Sequence, residues 1–180
     1  MTNNPLRWYV GFVKPYQERK CADALRKLGV ICYLPVQKEK RKYSDRIKEV
    51  ERLVLPRMIF VRTTETKRIP LLSEIYGLYA FMNEGGAYHP AIVPDRELDD
   101  FRFMVEHSET RVMVESQLFM PGDRVKVIAG PLKGLECELT SVGEKRCVAV
   151  RLGRVGTALL EFPPSSLALL EKTEKSEKTQ

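Results

Sequence analysis

The chain has 180 residues and a mass of 20.7 kDa, enough for one ordinary domain or two small ones and too little for a large multidomain enzyme. Hydrophobic residues make up 43% and charged residues 30%, a globular composition that argues against disorder of the whole chain. Lysine and arginine outnumber the acids by 30 to 24, and the resulting net charge of +6 suits a polyanionic partner without requiring one.

Strand and helix signals alternate up to about residue 107, which predicts an α/β domain over residues 1–107. Helices are expected after Pro15 with a stop at Gly29, over Ile69–Ile75 with a stop at Gly77, and from Pro94 onward. The last helix is expected to bury Leu98, Phe101 and Met104 or Val105. Buried strands are predicted at WYVGFVK, VICYLPV and MIFVRT, a hairpin over LYAFMN to AIV, and a polar stretch over residues 37–53.

The pattern changes after residue 107. Residues 108–118 are expected to form a linker, because their apolar pattern is weak. Six glycines and short valine-rich runs over residues 120–170 predict a small β-barrel, bounded at 119–170. Residues 171–180 hold three acids, three lysines and no apolar side chain, so we expect a disordered tail there.

The reactive side chains follow no catalytic or metal-binding pattern. The cysteines at 21, 32, 137 and 147 include no CxxC pair, and neither His89 nor His107 stands near a cysteine or a nucleophile motif. No GxGxxG or GxxxxGK[ST] phosphate loop occurs. We therefore expect buried reduced thiols, no enzyme activity and no metal. Since no apolar run approaches the ~18 residues that cross a bilayer, we expect a soluble, cytoplasmic protein with no membrane partner.

The charges are polarised along the first domain. Residues 14–27 hold five bases and two acids, residues 38–52 hold seven bases and four acids, and residues 95–109 hold two bases and six acids. Lys20 and Lys27 are seven residues apart, so they share one face of the predicted helix, and Lys14 lies just before it. This polarity predicts a side of the domain that faces nucleic acid, although each run alone would also suit a solvated helix face.

Aromatic and apolar residues fill both faces of two predicted strands. Alternation places Trp8, Val10 and Phe12 on one face of the first strand, and Met58 and Phe60 on one face of another. Core packing is the ordinary role of such residues. Two such strands side by side would also present enough apolar surface for a protein-docking depression.

Five segments occur in an order and spacing that resemble the NusG family of transcription elongation factors. They are WYVGFVKP, LVLPRMIFV, GLYAFMNEGGAYHPAIVP, PGDRVKVIAGPLKGLECELTSVG and LGRVGTALLEF, and the resemblance covers about residues 7–170. The stretch from YLPV to MIFV is most similar to specialised paralogues of the UpxY and RfaH type. The resemblance implies an amino-terminal α/β domain, with an antiparallel sheet flanked by helices, and a carboxy-terminal KOW β-barrel.

The resemblance also implies a role for particular residues. Family members are not enzymes and imply no cofactor; their amino-terminal domain docks on the clamp of RNA polymerase through an apolar depression and suppresses pausing or termination. Specialised paralogues also contact the non-template DNA strand, and the barrel recruits a ribosomal protein or Rho. By position, the depression falls on Phe12, Pro56, Met58 and Phe60, the DNA path on Lys14, Lys20 and Lys27, and the barrel's partner contact on Leu152.

Two alternatives remain open at this stage. A ribosome- or RNA-associated KOW protein would also combine an α/β domain with a barrel. The barrel region carries seven bases and five acids over residues 120–170, and this small excess favours polymerase over structured RNA. RfaH-like relatives can also fold the carboxy-terminal domain as a helical hairpin. Period-two alternation at Val125 and Val127 and the interrupting glycines favour a barrel.

Overall fold

The computed structural model describes residues 4–42, 44–85, 89–115, 122–142, 145–162 and 166–171. The chain divides into two compact units. The first is Met1–Asp99 with Leu152–Val155, and the second is Asp100–Arg151 with Gly156–Gln180.

The first unit combines an antiparallel sheet with flanking helices, as predicted. The helices are α1 (Glu18–Lys27), α2 (Glu65–Arg68), α3 (Leu71–Glu74) and α4 (Asp95–His107), of which α4 continues into the second unit. The strands are β1 (Arg7–Val13), β2 (Ile31–Tyr33), β3 (Val36–Lys42), β4 (Ile47–Leu53), β5 (Met58–Thr63), β6 (Leu78–Phe81) and β7 (Ile92–Val93). The sheet has the order β2-β5-β1-β6, and β7 also pairs with β1.

One face of this sheet packs against α1 and α3. Alternation along β1 and β5 directs Tyr9, Val13, Ile59 and Val61 to this face, where α1 supplies Cys21, Ala22 and Leu25 at helical spacing. Helix α1 ends at Lys27, and Gly29 follows with a φ of 72°, a left-handed conformation that stops the helix where the sequence predicted.

The helix predicted over Ile69–Ile75 is shorter in the structure, where α3 covers only Leu71–Glu74 and a separate short helix, α2, precedes it at Glu65–Arg68. Pro70 causes the break, because it has no backbone N–H to continue α2 and its ring suits the start of α3. Ile75 is buried as expected, whereas Ile69 is exposed.

The polar stretch forms a separate antiparallel pair, β3 with β4. Sequence reasoning did not identify these strands. The predicted hairpin near residues 78–93 is present in part: β6 and β7 both pair with β1, and a bridge joins Asn83 to Pro90. Helix α4 buries all four of its predicted apolar residues.

The second unit contains the predicted carboxy-terminal β region, consistent with a KOW domain. All regular elements that the structure describes after α4 are strands, so this region does not adopt the alternative helical hairpin here. They are β8 (Met113–Glu115), β9 (Asp123–Val127), β10 (Glu136–Val142), β11 (Lys145–Arg151), β12 (Thr157–Glu161) and β13 (Leu167–Glu171). These strands pair in the order β13-β9-β10-β11-β12-β8.

Part of the segment expected to be a linker forms a strand. Within residues 108–118, β8 pairs with β12, and residues 116–118 lie outside the described residues. Of the expected tail, Glu171 ends β13, and residues 172–180 also lie outside them. In the described parts of the chain, no helix has the length and apolar character to span a membrane.

Candidate functional site

The second face of the first unit's sheet holds the predicted apolar residues. Strands β1 and β5 pair Trp8 with Arg62, Val10 with Phe60, and Phe12 with Met58. Residues directly opposite each other in an antiparallel pair lie on the same face. The structure therefore brings Phe12, Met58 and Phe60 together on one face, opposite the face that packs on α1.

Exposure increases along this face toward the end of β1. Trp8, Val10 and Phe60 are buried, and Tyr33 of β2 stacks on Phe60 with ring centres 6.0 Å apart. Phe12 and Met58 are partly exposed. The Phe60 side chain is 0% exposed, so it packs inside the sheet face and is not accessible to a partner.

A tyrosine that the sequence did not single out extends the exposed part of this face. Tyr79 of β6 stacks on Phe12, with ring centres 6.3 Å apart and 25° between the planes, and it is 47% exposed. We call Phe12, Met58 and Tyr79 the apolar surface. Pro56 is exposed two residues before Met58, in the turn between β4 and β5.

The three predicted lysines are all exposed in the first unit. Lys20 and Lys27 lie two turns apart on α1, opposite the buried Cys21 and Leu25, so they share its solvent face as predicted. Lys14 follows the end of β1, and its Nζ lies 5.2 Å from the centre of the Tyr76 ring. The structure thus places Lys14 over an aromatic ring, which the charge pattern alone did not indicate.

Backbone hydrogen bonds join three loops around Lys14. Its N–H donates to the Gly77 carbonyl oxygen at 2.8 Å, and the Val13 N–H donates to the Arg57 carbonyl oxygen at 2.8 Å. The Arg57 N–H in turn donates to Oε1 of the buried Glu18 at 3.1 Å. The loop after β1, the β4–β5 turn and the loop before β6 are therefore held together at this end of the sheet.

The β3–β4 hairpin adds a second basic region. Residues 40–48 hold five bases and one acid, and Arg41 lies directly opposite Lys48 in the pair of strands. Like charges in this position are destabilising, so this part of the hairpin concentrates positive charge at the surface. Nearer the base of the hairpin, Arg52 pairs with Glu39, and Arg19 of α1 pairs with Glu51.

The cysteines show no activated thiol. Burial raises the pKa of Cys21 to about 11 and that of Cys137 to about 12, with the nearby acids adding to the effect. Cys32 is half-buried, and burial raises its pKa as well. Within the described ranges no three His, Cys, Asp or Glu side chains form a group that would hold a metal ion.

Leu152, predicted as the barrel's partner contact, is fully buried and belongs to the first unit. The sequence around Leu152, in the turn between β11 and β12, did not predict this burial, because burial depends on residues distant in sequence.

Comparison with known families agrees with these features. The sequence profile described as "NusG: Transcription termination factor nusG" matches residues 6–102, more than half of the chain. The chain belongs to the NusG family. Members of the NusG family are transcription factors and not enzymes, and binding to RNA polymerase is typical of them.

Two solved structures that match the chain can be named. One, described as "Domain interaction in Thermotoga maritima NusG", is 20% identical, with a TM-score of 0.46, and the match covers 94% of this chain and 98% of that one. The other, described as the MjSpt4:Spt5 complex in conformation A, is 14% identical, with a TM-score of 0.30, and the match covers 92% of this chain and 99% of that one. No curated protein is similar enough in sequence to match.

Proposed function

We propose that this NusG-family transcription factor binds the clamp of RNA polymerase through its first unit and suppresses pausing or termination at particular operons. It would act in the cytoplasm without a cofactor. The apolar surface carries the proposal, because partly exposed aromatic rings on a sheet face are typical of protein-docking sites.

The predicted docking residues contribute in different ways. Phe12 and Met58 would contact polymerase directly, and the flexible Met58 side chain would adapt to its partner. Phe60 would act by supporting the sheet face, since it is buried beneath Tyr33. Pro56 would set the turn that leads into β5. Tyr79 joins the set because it covers one side of Phe12.

Lys14, Lys20 and Lys27 would contact the non-template DNA strand in the transcription complex. All three are exposed, and Lys20 and Lys27 share the solvent face of α1, which supports this role. This contact would give the specialisation to particular operons, in the manner of the UpxY- and RfaH-type paralogues. The second unit would recruit a ribosomal protein or Rho.

Affinity for core RNA polymerase tests the docking role. We expect Phe12→Ala to weaken binding by roughly thirtyfold, the effect of removing a large side chain from a desolvated contact. Leu28→Ala is the matched control, because Leu28 is an exposed apolar residue outside the apolar surface. A folded Phe12→Ala, Met58→Ala double variant that binds polymerase as tightly as wild type would contradict the proposal.

A ribosome- or RNA-associated role is the competing proposal. Purification of the tagged full-length chain from its own cells distinguishes the two. Polymerase subunits should co-purify with the wild type and be lost with the double variant. Ribosomal subunits recovered equally with both proteins, in the absence of polymerase, would favour the competing role.

A further inference from the structure

Glu18 is a buried carboxylate at the start of α1. Only 6% of the residue is exposed, although glutamate is rarely buried without a partner. Its Oε1 accepts the Arg57 backbone N–H at 3.1 Å, between residues 39 positions apart in the sequence. The N-terminal end of a helix also favours a negative charge. Glu18 therefore joins the start of α1 to the turn between β4 and β5.

The turn that Glu18 holds is strained. Arg57 has a φ of 65°, in the left-handed region that disfavours residues with a side chain. Among the described residues, only Tyr16 and Arg57 combine a side chain with a φ in this region, and Tyr16 lies two residues before Glu18. Conformations of this kind persist only where the surroundings hold them, and they concentrate at functional sites.

The strained turn leads directly into the apolar surface. The Arg57 carbonyl oxygen accepts the Val13 N–H at 2.8 Å, and Val13 immediately follows Phe12. Arg57 immediately precedes Met58, which lies directly opposite Phe12 in the β1–β5 pair. Both backbone polar groups of Arg57 are therefore held, one by β1 and the other by Glu18. A rearranged turn would move Met58 relative to Phe12.

We propose that Glu18 is a positioning residue for polymerase docking, whose carboxylate holds the Arg57 turn so that Met58 lies beside Phe12 before the partner binds. The inference rests on the proposed function and deepens it. Burying a carboxylate costs free energy that an apolar side chain would not, so stability alone does not explain a charge at this position. A surface that is already ordered avoids the cost of ordering on association. The fraction of molecules with the ordered surface sets the apparent affinity.

The affinity of the full-length chain for core RNA polymerase tests the inference. We expect Glu18→Ala to weaken binding by roughly tenfold, the equivalent of one hydrogen bond to a charged group. Glu18→Leu fills the buried space without an acceptor and should lose as much. Glu18→Gln keeps an acceptor oxygen and should lose only about threefold, because neutral hydrogen bonds are roughly half as strong. Glu65→Ala is the matched control: it removes the carboxylate that accepts from Arg68, so it should lower stability and leave polymerase affinity unchanged.

A double-mutant cycle shows whether Glu18 acts through the apolar surface. Glu18→Ala should cost almost nothing in the Phe12→Ala, Met58→Ala background, because the surface it positions has been removed. Hydrogen exchange of the Arg57 amide, followed by NMR, should accelerate in Glu18→Ala and stay at the wild-type rate in Glu65→Ala. Thermal melting of each variant establishes that it is folded at the temperature of the binding measurement.

The outcomes separate the inference from the docking role. Wild-type affinity in folded Glu18→Ala or Glu18→Leu, with Phe12→Ala weakened, would overturn the inference and leave the docking role standing. An equal loss from Glu18→Ala with and without the apolar surface, or a loss in Glu18→Gln as large as in Glu18→Leu, would also overturn it. Wild-type affinity in Phe12→Ala would overturn the docking role and, with it, the inference.

Discussion

The first unit places a cation over a tyrosine ring in two places, and the surroundings of the two pairs differ. The Arg68 guanidinium lies 5.6 Å from the Tyr9 ring and 5.4 Å from the Phe81 ring. It is almost wholly buried and donates two hydrogen bonds to Glu65, at 2.7 and 3.2 Å. Lys14 lies over the exposed Tyr76 without a carboxylate partner among the described residues. The first pair stabilises the fold, whereas the second is open to a ligand.

The stacked aromatic pairs of the sheet face divide in the same way. Tyr33 covers Phe60, which is fully buried, whereas Tyr79 stacks on Phe12, which is partly exposed. Similar contacts are thus buried at one end of the face and partly exposed at the other, where we propose a docking role. Burial, and not the type of contact, separates the two roles. Variants should therefore affect either folding or binding, according to burial.

The largest expected effect is that of Phe60→Ala on stability. Removing a fully buried phenylalanine leaves a cavity, so we expect the free energy of unfolding to fall by about 3–5 kcal/mol. Phe12→Ala should cost about 1 kcal/mol, because its side chain is already partly in water. Urea unfolding measures both, followed by the fluorescence of Trp8, the single tryptophan. Equal losses for the two variants would contradict the division between core and apolar surface.

Arg68→Ala should cause the next largest loss, about 2–4 kcal/mol. The change removes the packing between Tyr9 and Phe81 together with the paired hydrogen bonds to Glu65. The neighbouring Lys67 is exposed on the same short helix, and Lys67→Ala should stay within about 0.5 kcal/mol of wild type. The same unfolding experiment compares them. An Arg68→Ala variant as stable as Lys67→Ala would show that the buried cation is dispensable.

The division between these roles was only partly predictable from the sequence. Period-two alternation correctly placed Phe12, Met58 and Phe60 on one sheet face, since strand geometry dictates it. It could not show that Phe60 is covered and Phe12 is not, because covering groups come from elsewhere in the chain. Gly29 marked a helix end by a local requirement for positive φ, and local requirements are legible in sequence.

Features that depend on distant contacts were missed. Most residues of the β3–β4 hairpin are polar or charged, so the sequence lacks the alternation of apolar and polar residues that predicts a strand. A buried arginine such as Arg68 is recognisable only when its partners Glu65, Tyr9 and Phe81 are brought together by the fold. The contact between Lys14 and Tyr76 likewise arises where separate loops meet, and neither residue alone indicates it.

A smaller effect should appear in the pH dependence of stability. The hydrogen bonds from Arg68 hold the pKa of Glu65 below its ordinary value, despite the opposing effect of burial. A carboxyl with a lowered pKa contributes stability that is present above the unfolded value of about 4.3 and is lost as the pH falls through the folded value. In the Glu65→Gln variant this position has no carboxyl group and does not titrate. The difference in unfolding free energy between wild type and Glu65→Gln should therefore shrink from pH 6 to pH 3. A difference that stayed constant would show that the Glu65 charge does not matter.

The smallest expected effect on stability, and the one that most sharpens the comparison with Arg68, is that of Lys14→Gln. Its ammonium group is exposed, and a cation over an exposed ring is worth only about 0.5–1 kcal/mol before the freedom of the side chain is counted. The free energy of unfolding of Lys14→Gln, measured in urea, should therefore lie within about 0.5 kcal/mol of the wild-type value. The same change should reduce single-stranded DNA binding and its salt dependence, because the Lys14 ammonium group contributes little to folding and is proposed to contact phosphates. Arg68→Met supplies the opposite pattern: it should alter stability while leaving the salt slope of DNA binding unchanged in the folded protein. If Lys14→Gln destabilised the protein as much as Arg68→Met did, Lys14 would be part of the structural framework and its position over Tyr76 would need no ligand to explain it.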